Sequence, residues 1–283
     1  MSFMFPPEAP ETIQPQVENP WGGRLIERVA EILSASPESI GSLSAGTESH
    51  ATLDFDALLN ERRTRNRDAI LSFASQQAFS ISDVTRAVDG AWLDDFIRLS
   101  SNVSTVSEQH IWGRLLLKEL AEPGAISRRT LQFLSTMDAW EIESFAEYVA
   151  FSFSFESGWR FVFDGEVARR ELWSYGREID LMQHWIDVGL LSGEASILAP
   201  KNSMGLRLRY GVKAWEMRVA SDGDGDPVAP IQYRKLTATG QQISDALQLK
   251  TFNGYARNVL KALETQGKVH FELLPEEAEK AAG

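Results

Sequence analysis

The 283-residue sequence contains no cysteine at all. That absence excludes disulfide bonds, thiolate catalysis and cysteine-bound metals, and it suits a reducing compartment. No apolar run approaches the roughly twenty residues that a helix needs to cross a bilayer, so we expect no membrane span. The N-terminus, MSFMFPPEAPETIQPQ, lacks the basic residues and the apolar core of a signal peptide. Together these absences predict a cytoplasmic protein.

Motifs that would identify a cofactor or a metal are also missing. The sequence has no G-x-x-x-x-G-K-[ST], G-x-G-x-x-G or G-x-S-x-G pattern, and its four histidines do not occur at a ligand spacing such as H-E-x-x-H. Asp222, Asp224 and Asp226 resemble the start of a calcium loop, but Pro227 and Tyr233 occupy the positions that need glycine and glutamate. We therefore predict no cofactor, metal site or catalytic residue, with an enzyme of unrecognised type as an alternative.

Basic residues are scarce relative to acidic ones, and the formal net charge is −12. Residues 1–150 contain 12 Lys and Arg against 22 Asp and Glu, whereas residues 151–283 contain 16 against 18. The acidic first half disfavours nonspecific contact with nucleic acid or anionic lipid. The second half is close to neutral, so a local basic face in that half stays open.

What the sequence does contain is a long stretch, residues 92–145, with apolar residues at helical spacing. Thr105 and Glu108 have the spacing of a capping box and predict a helix start, whereas Pro123 and Gly124 predict a helix end. The stretch predicts three or four short helices that form an antiparallel bundle. The predicted core of this bundle is Trp92, Phe96, Trp112, Leu115, Leu116, Leu131 and Trp140.

The same stretch resembles an uncharacterised bacterial family known as domain of unknown function 2806. The resemblance rests on a tryptophan–aliphatic run, an acidic residue, a Pro-Gly turn, an S-x-R-T-L segment and a Leu-Ser-x-x-Asp-Ala helix start. These residues are Trp112, Leu115, Leu116, Glu119, Pro123, Gly124, Ser127, Arg129, Thr130, Leu131, Leu134, Ser135, Asp138 and Ala139. The resemblance implies a soluble helical protein with a C-terminal winged-helix-like part, of a kind often found near mobile elements and phage-defence genes. It implies no activity and no catalytic residues.

Aromatic residues alternate with other residues in FSFSFESGWRFVF, residues 151–163. This period of two predicts two strands that pair around Ser157 and Gly158, although the end of a long helix followed by one strand fits as well. An aromatic stripe of this kind can stack nucleic-acid bases, but packing is its more common use. We expect these residues to contribute to a self-association surface. The candidates are Phe151, Phe153, Phe155 and Trp159.

The C-terminal part is predicted to run as helix, turn, paired strands and helix, the order found in many winged-helix-like domains. Residues 167–188 have helical spacing, residues 206–220 alternate like a strand, and residues 231–236 are predicted to return beside them. Basic residues on this hairpin would form the positively charged surface that contact with nucleic acid needs. The near-neutral charge of the C-terminal part counts against that use. The candidates are Arg207, Arg209, Lys213, Arg218, Arg234 and Lys235.

These observations predict a mainly α protein with a smaller α+β part. A helical bundle over residues 21–157 precedes a winged-helix-like module over residues 158–275, and residues 1–20 and 276–283 are predicted tails. The predicted function is that of a non-enzymatic interaction protein that self-associates and has a possible protein partner from the same operon. The family resemblance suggests a place in a bacterial anti-phage, abortive-infection-type system. The alternative is a nucleic-acid-binding regulator that acts through the C-terminal module.

Overall fold

A computed structural model of the chain describes residues 55–77, 88–103, 105–176, 179–198, 205–219, 231–266 and 269–275. The chain divides into two compact units, residues 1–64 and residues 65–283. In the first unit the described residues, 55–64, are the start of helix α1 (Phe55–Gln77). The two predicted tails and the predicted turn with Asp222, Asp224 and Asp226 lie outside the described residues.

The helical part of the second unit consists of the rest of α1 and four shorter helices. These are α2 (Gly90–Ser100), α3 (Val106–Ala121), α4 (Arg128–Leu134) and α5 (Ala139–Val149). The predicted capping box is confirmed, because Thr105 Oγ1 accepts a hydrogen bond from Glu108 N at 3.2 Å and the Glu108 carboxylate accepts one from Thr105 N at 2.9 Å. Each partner satisfies an amide that the first turn of a helix leaves unpaired. The start of α3 is therefore encoded by four consecutive residues.

The core of the helical part is built around aromatic contacts between α2 and α3. Trp92 stacks on Phe96 with ring centroids 5.3 Å apart, and Phe96 meets the edge of Trp112 at 5.6 Å. The indole of Trp92 also donates a hydrogen bond to Ile126 O, so its polar atom is satisfied inside the core. Trp92, Phe96, Trp112, Leu115, Leu116 and Leu131 are all buried. Trp140, at the start of α5, is instead 52% exposed.

A buried carboxylate fixes the loop between α3 and α4. Glu119 is 2% exposed, and its two oxygens accept hydrogen bonds from Gly124 N at 2.7 Å and Ile126 N at 2.9 Å. Gly124 has a φ of +94°, in the region that favours glycine. Glu119 therefore holds the turn at Pro123 and Gly124 through these two hydrogen bonds.

A seven-stranded antiparallel sheet and four further helices make up the rest of the described second unit. The strands are β1 (Phe153–Phe155), β2 (Arg160–Phe163), β3 (Ser196–Leu198), β4 (Leu206–Tyr210), β5 (Lys213–Val219), β6 (Ile231–Lys235) and β7 (Val269–Leu273). The helices are α6 (Glu166–Ser174), α7 (Ile179–Asp187), α8 (Ala238–Ala246) and α9 (Asn253–Gln266). The strand order is β3-β6-β2-β1-β4-β5-β7, so β1 and β2 occupy the middle of the sheet.

The predicted fold class, a helical bundle followed by a winged-helix-like module, is wrong. The predicted hairpin of residues 206–220 with residues 231–236 does not form. Residues 206–219 make their own hairpin, β4 and β5, which turns at Gly211 with a φ of +58°. Strand β6 pairs with β2 and β3 instead, on the other side of β1. The described C-terminal part therefore contributes to one large sheet, where a winged helix would have a small separate wing.

The predicted strand pairing around Ser157 and Gly158 is confirmed. Phe153 pairs with Phe161 and Ser154 with Arg160, and Gly158 adopts a φ of +83° in the connecting turn. This hairpin lies across residue 157, so strands from both sides of that position belong to the same sheet.

The residues predicted as one helix, 167–188, form two. Helix α6 ends before Gly176, whose φ of +73° breaks the helical path, and α7 begins at Ile179. Among the described helices, none has both the length and the apolar character needed to cross a membrane.

Three tyrosines in this unit are held in surroundings that oppose ionisation. Burial raises the pKa of Tyr148, Tyr210 and Tyr255. The pKa of a tyrosine in the unfolded chain is about 10. Below that pH these three side chains stabilise the fold fully, and their contribution to the free energy of unfolding falls as the pH rises above it. We expect the three phenols to ionise only as circular dichroism shows the fold being lost. A titration of all five tyrosines in the folded protein, followed by ultraviolet absorbance, would contradict this.

Candidate functional site

A polar cavity of the described residues lies beside β1 and β2, and we call it the Arg160 pocket. Its volume is about 260 Å³. The end of α5, the start of β2, the β4–β5 turn and the connection from α8 to α9 form its walls. The lining residues are Val149, Ala150, Ser152, Arg160, Tyr210, Gly211, Ser244, Asp245, Leu247, Leu249, Lys250 and Thr251.

Tyr210 ties two walls of the pocket together. Its hydroxyl donates a hydrogen bond to Ala150 O at 2.8 Å and accepts one from Phe252 N at 2.9 Å. The hydroxyl is protonated at neutral pH, as in any tyrosine, so it can donate and accept at the same time; burial raises the pKa of Tyr210 further. The bond fixes the segment after α5 against the segment before α9.

The β4–β5 turn approaches the same wall closely. A Cβ atom placed on Gly211 would lie 2.5 Å from Thr251 Cγ2, well inside contact distance. Both this contact and the positive φ of Gly211 require glycine at the turn. The closeness of the turn to Thr251 therefore depends on a single residue type.

Side chains alternate between the two faces of β2, and this alternation places Arg160 in the pocket. Its backbone N–H donates to Gln241 Oε1 at 2.8 Å, which anchors the strand to α8. Its guanidinium has only long contacts, since Nη1 lies 3.5 Å from Ser152 Oγ and Nε forms an ion pair with Asp245 Oδ1 at 3.6 Å. The Nε atom is buried and has no hydrogen-bond partner among the described residues. A buried donor without a partner costs about 1–3 kcal/mol, so a hydrogen-bond acceptor in this pocket would stabilise the protein.

The side chains that line the pocket carry a net positive charge. Arg160 and Lys250 are cationic, and Asp245 is the one carboxylate among the lining residues. Asp245 is also engaged elsewhere, since it accepts a hydrogen bond from Gln241 Nε2 at 2.9 Å. Ser152 and Thr251 add hydroxyls to the lining. The set of donors suits an anion with several oxygen atoms.

A smaller cavity of about 170 Å³ lies in the helical part, next to Trp112 and Met137. Its charged lining residue is Glu108, which is already used in the capping box of α3. This cavity therefore offers no comparable set of unsatisfied donors. No group of three or more His, Asp or Glu residues able to hold a metal ion occurs in the described ranges.

The six basic residues predicted to contact nucleic acid do not lie on one hairpin. Four of them are on β4 and β5, whereas Arg234 and Lys235 are on β6, with β2 and β1 in between. Arg234 is turned inward, where its Nε lies 2.7 Å from the buried Asp164 carboxylate. Lys235 lies over the ring of Tyr233, 6.0 Å from the centroid.

The four residues on β4 and β5 are partly neutralised. Arg207 lies 3.5 Å from Glu156, and Arg218 pairs with Glu216 and Glu272. Within the described residues, Arg209 and Lys213 have no ion pair. This part of the sheet therefore presents a mixed surface of arginines and glutamates.

The four aromatic residues predicted to support self-association are largely internal. Phe151 and Phe153 are buried, and Phe155 packs partly buried against the same core. Trp159 is 39% exposed, and its indole N–H donates to Leu236 O at 3.0 Å. Through these contacts the β1–β2 hairpin packs in the centre of the sheet.

Arg160 and Lys250 were not among the residues predicted from the sequence. Arg160 occupies a non-aromatic position in FSFSFESGWRFVF, so the period-two pattern already places it on the face opposite Phe161. That pattern could have identified it. Lys250 lies on the connection between α8 and α9, and nothing local relates that connection to β2.

Comparison with known proteins gives one match. The model of a family described as protein of unknown function (DUF2806) matches residues 56–260. No curated protein and no solved structure matched the chain. The matched range includes the helical part, β1–β6 and the whole lining of the Arg160 pocket.

Proposed function

The chain belongs to the family of proteins of unknown function DUF2806, and we propose that it is a binding protein that holds an anionic group in the Arg160 pocket. The observation that carries this proposal is the guanidinium of Arg160. It faces a polar cavity, its nearest acceptors lie 3.5–3.6 Å away, and its buried Nε, whose ion-pair partner is Asp245 at 3.6 Å, makes no hydrogen bond within the described residues. An oxyanion in the pocket would complete these interactions.

The size of the pocket narrows the ligand. Pockets for drug-sized ligands are typically about 300–1,000 Å³, and the Arg160 pocket, at about 260 Å³, lies just below that range. It therefore suits a small anion, or the anionic end of a larger molecule, such as a phosphate or a carboxylate. Arginine binds both groups through paired, charge-assisted hydrogen bonds.

The proposal is tested by calorimetry and thermal-shift measurements with inorganic phosphate, citrate, adenosine diphosphate and a short single-stranded oligonucleotide. We expect at least one probe to bind and raise the melting temperature. Arg160→Gln should weaken that binding by about tenfold or more, because a hydrogen bond to a charged group contributes about 1.5–3 kcal/mol. Asp245→Asn should strengthen it, since it removes the competing carboxylate.

Arg207→Gln is the matched control, because Arg207 is an arginine on the same sheet that lies outside the pocket and contacts Glu156. This variant should bind the probe like the wild type. Failure of all four probes to bind, or equal binding by Arg160→Gln, would refute the proposal. Binding of the oligonucleotide with a loss in Arg207→Gln would favour the nucleic-acid alternative instead.

Two functions expected from the sequence stay predictions. Self-association is one of them, and the side chains of Phe151 and Phe153 are buried inside the chain. A role in anti-phage defence rests on the family resemblance alone. Both are compatible with a protein that binds an anionic ligand.

A further inference from the structure

Strand β7 forms one edge of the sheet, and we propose that it pairs with β7 of a second copy of this chain when Glu264 releases it. On its inner side β7 pairs with β5 over five residue pairs, from Val219↔Val269 to Trp215↔Leu273. In the part of the chain that the structure describes, no strand pairs with its outer side. Its sequence, VHFEL, has no lysine or proline, which commonly protect sheet edges from pairing.

The hydrogen bonds show which backbone groups of β7 point outward. Leu274 N donates to Ala214 O at 2.9 Å, which places the even-numbered residues on the side of β5. Phe271 N instead donates to a side chain of α9, the Glu264 carboxylate, at 2.7 Å. Because the pattern alternates along a strand, Val269, Phe271 and Leu273 direct their backbone groups away from the sheet.

Glu264 therefore occupies the centre of the open edge. The same oxygen that accepts from Phe271 N lies 2.9 Å from His270 Nδ1. A second strand cannot bond to Phe271 N while this carboxylate is in place. The side chain of Glu264 thus competes directly with strand pairing, and its position makes it the element that controls the edge.

The sequence of β7 is complementary to itself. In an antiparallel pair with a two-fold axis at Phe271, each His270 lies opposite Glu272 of the second copy, and each Val269 lies opposite Leu273. His270 and Glu272 would form a pair without backbone hydrogen bonds, in which side chains come closest. Both are exposed, at 70% and 54% of their side-chain surface.

A like-charge contact of the single chain adjoins the open edge. Glu216 and Glu272 are directly opposite each other on β5 and β7, and like charges at that position are destabilising. Arg218 contacts both glutamates but is itself 59% exposed. In the two-fold pair, His270 of the second copy would lie on the other side of Glu272. This match of an imidazole with a carboxylate favours a second copy of this chain as the occupant of the edge.

The experiment measures association by sedimentation velocity and light scattering across the micromolar range. Glu264→Ala removes the competing carboxylate and should lower the dimer dissociation constant by about tenfold or more relative to the wild type. Adding Leu273→Pro should return this variant to monomer. A proline is tolerated on an edge strand where the N–H faces solvent, and it removes an outward donor that the pair needs.

Cysteine pairs give a second measurement, because the chain has no cysteine of its own. His270→Cys mixed with Glu272→Cys in the Glu264→Ala background should form disulfide-linked dimers, whereas neither variant alone should. The Cα separation of such a strand pair, about 4.5 Å, falls within disulfide range. A Glu264→Ala protein that stays monomeric, or a dimer of either protein that survives Leu273→Pro, would overturn the proposal.

Discussion

Replacing Trp112 by alanine is expected to lower the free energy of unfolding by about 3–5 kcal/mol, the usual range for a buried large aromatic residue. Trp112 is 1% exposed and lies in the middle of α3, in a T-shaped contact with Phe96. The substitution leaves a cavity that the surrounding helices can fill only in part, because Trp92 and Phe96 are held by their own stacking. Urea denaturation followed by circular dichroism measures the loss.

Trp173→Ala is the matched control for that experiment. Trp173 is also a helical tryptophan, on α6, but it is 56% exposed. Surface substitutions of this kind usually change stability by less than about 0.5 kcal/mol. Equal losses for the two variants would show that Trp112 does not lie in a packed core and that the arrangement of α2 and α3 described above is incorrect.

Asp164→Ala is expected to have an effect of similar size through a different cause. Asp164 follows β2, its side chain is 1% exposed, and it lies 2.8 Å from Arg169 and 2.7 Å from Arg234. Arg234 is itself 13% exposed, so removal of Asp164 would leave a buried cation without its counter-charge. Breaking a buried pair in this way costs about 3–5 kcal/mol.

The backbone contacts of Arg234 explain why it cannot simply turn outward. Its Nη1 donates to Ser192 O at 2.9 Å and Gly193 O at 2.7 Å, which ties β6 to the segment after α7. Glu166→Ala is the control, since Glu166 and its partner Arg170 are both mostly exposed and such pairs contribute about 0–1 kcal/mol. A loss for Asp164→Ala as small as that of Glu166→Ala would mean that the buried ion pairs do not form.

The helical part could be read from the sequence because its signals are local. The capping box of Thr105 and Glu108 and the Pro-Gly turn act over four or five residues, and the structure contains both. Trp140 was predicted as a core residue, but local spacing does not show which helical residues are buried. It has helical spacing, but it lies in the first turn of α5 and tilts against His184 at the surface, 5.3 Å between ring centroids.

The sheet could not be read in the same way. Alternation predicted one strand over residues 206–220, which forms β4 and β5, and another over residues 231–236, which contains β6. Alternation carries no information about which strands are neighbours. The predicted hairpin pairs residues 231–236 with the preceding strand, as sequential strands usually do. In this chain β6 does not pair with β5, the strand before it in the sequence. It pairs with β2 and β3 instead.

The candidate site was missed for a related reason. Its lining residues come from four separate segments, and what brings Lys250 near Arg160 is the hydrogen bonding of Tyr210 to Ala150 and Phe252. Arginines on β4 and β5 were more conspicuous in the sequence because they are closely spaced. The structure shows that Arg207 and Arg218 of that group have acidic partners.

The strand order also has a consequence for synthesis of the chain on the ribosome. Strands β1 and β2 are made before β6, and β2 stays unpaired on its outer side until β6, residues 231–235, has emerged. During that interval the edge beside Phe161 and Phe163 is an unsatisfied, aromatic strand of the kind that invites misassembly. The nascent protein therefore exposes this aromatic edge until β6 has been made and has paired with it.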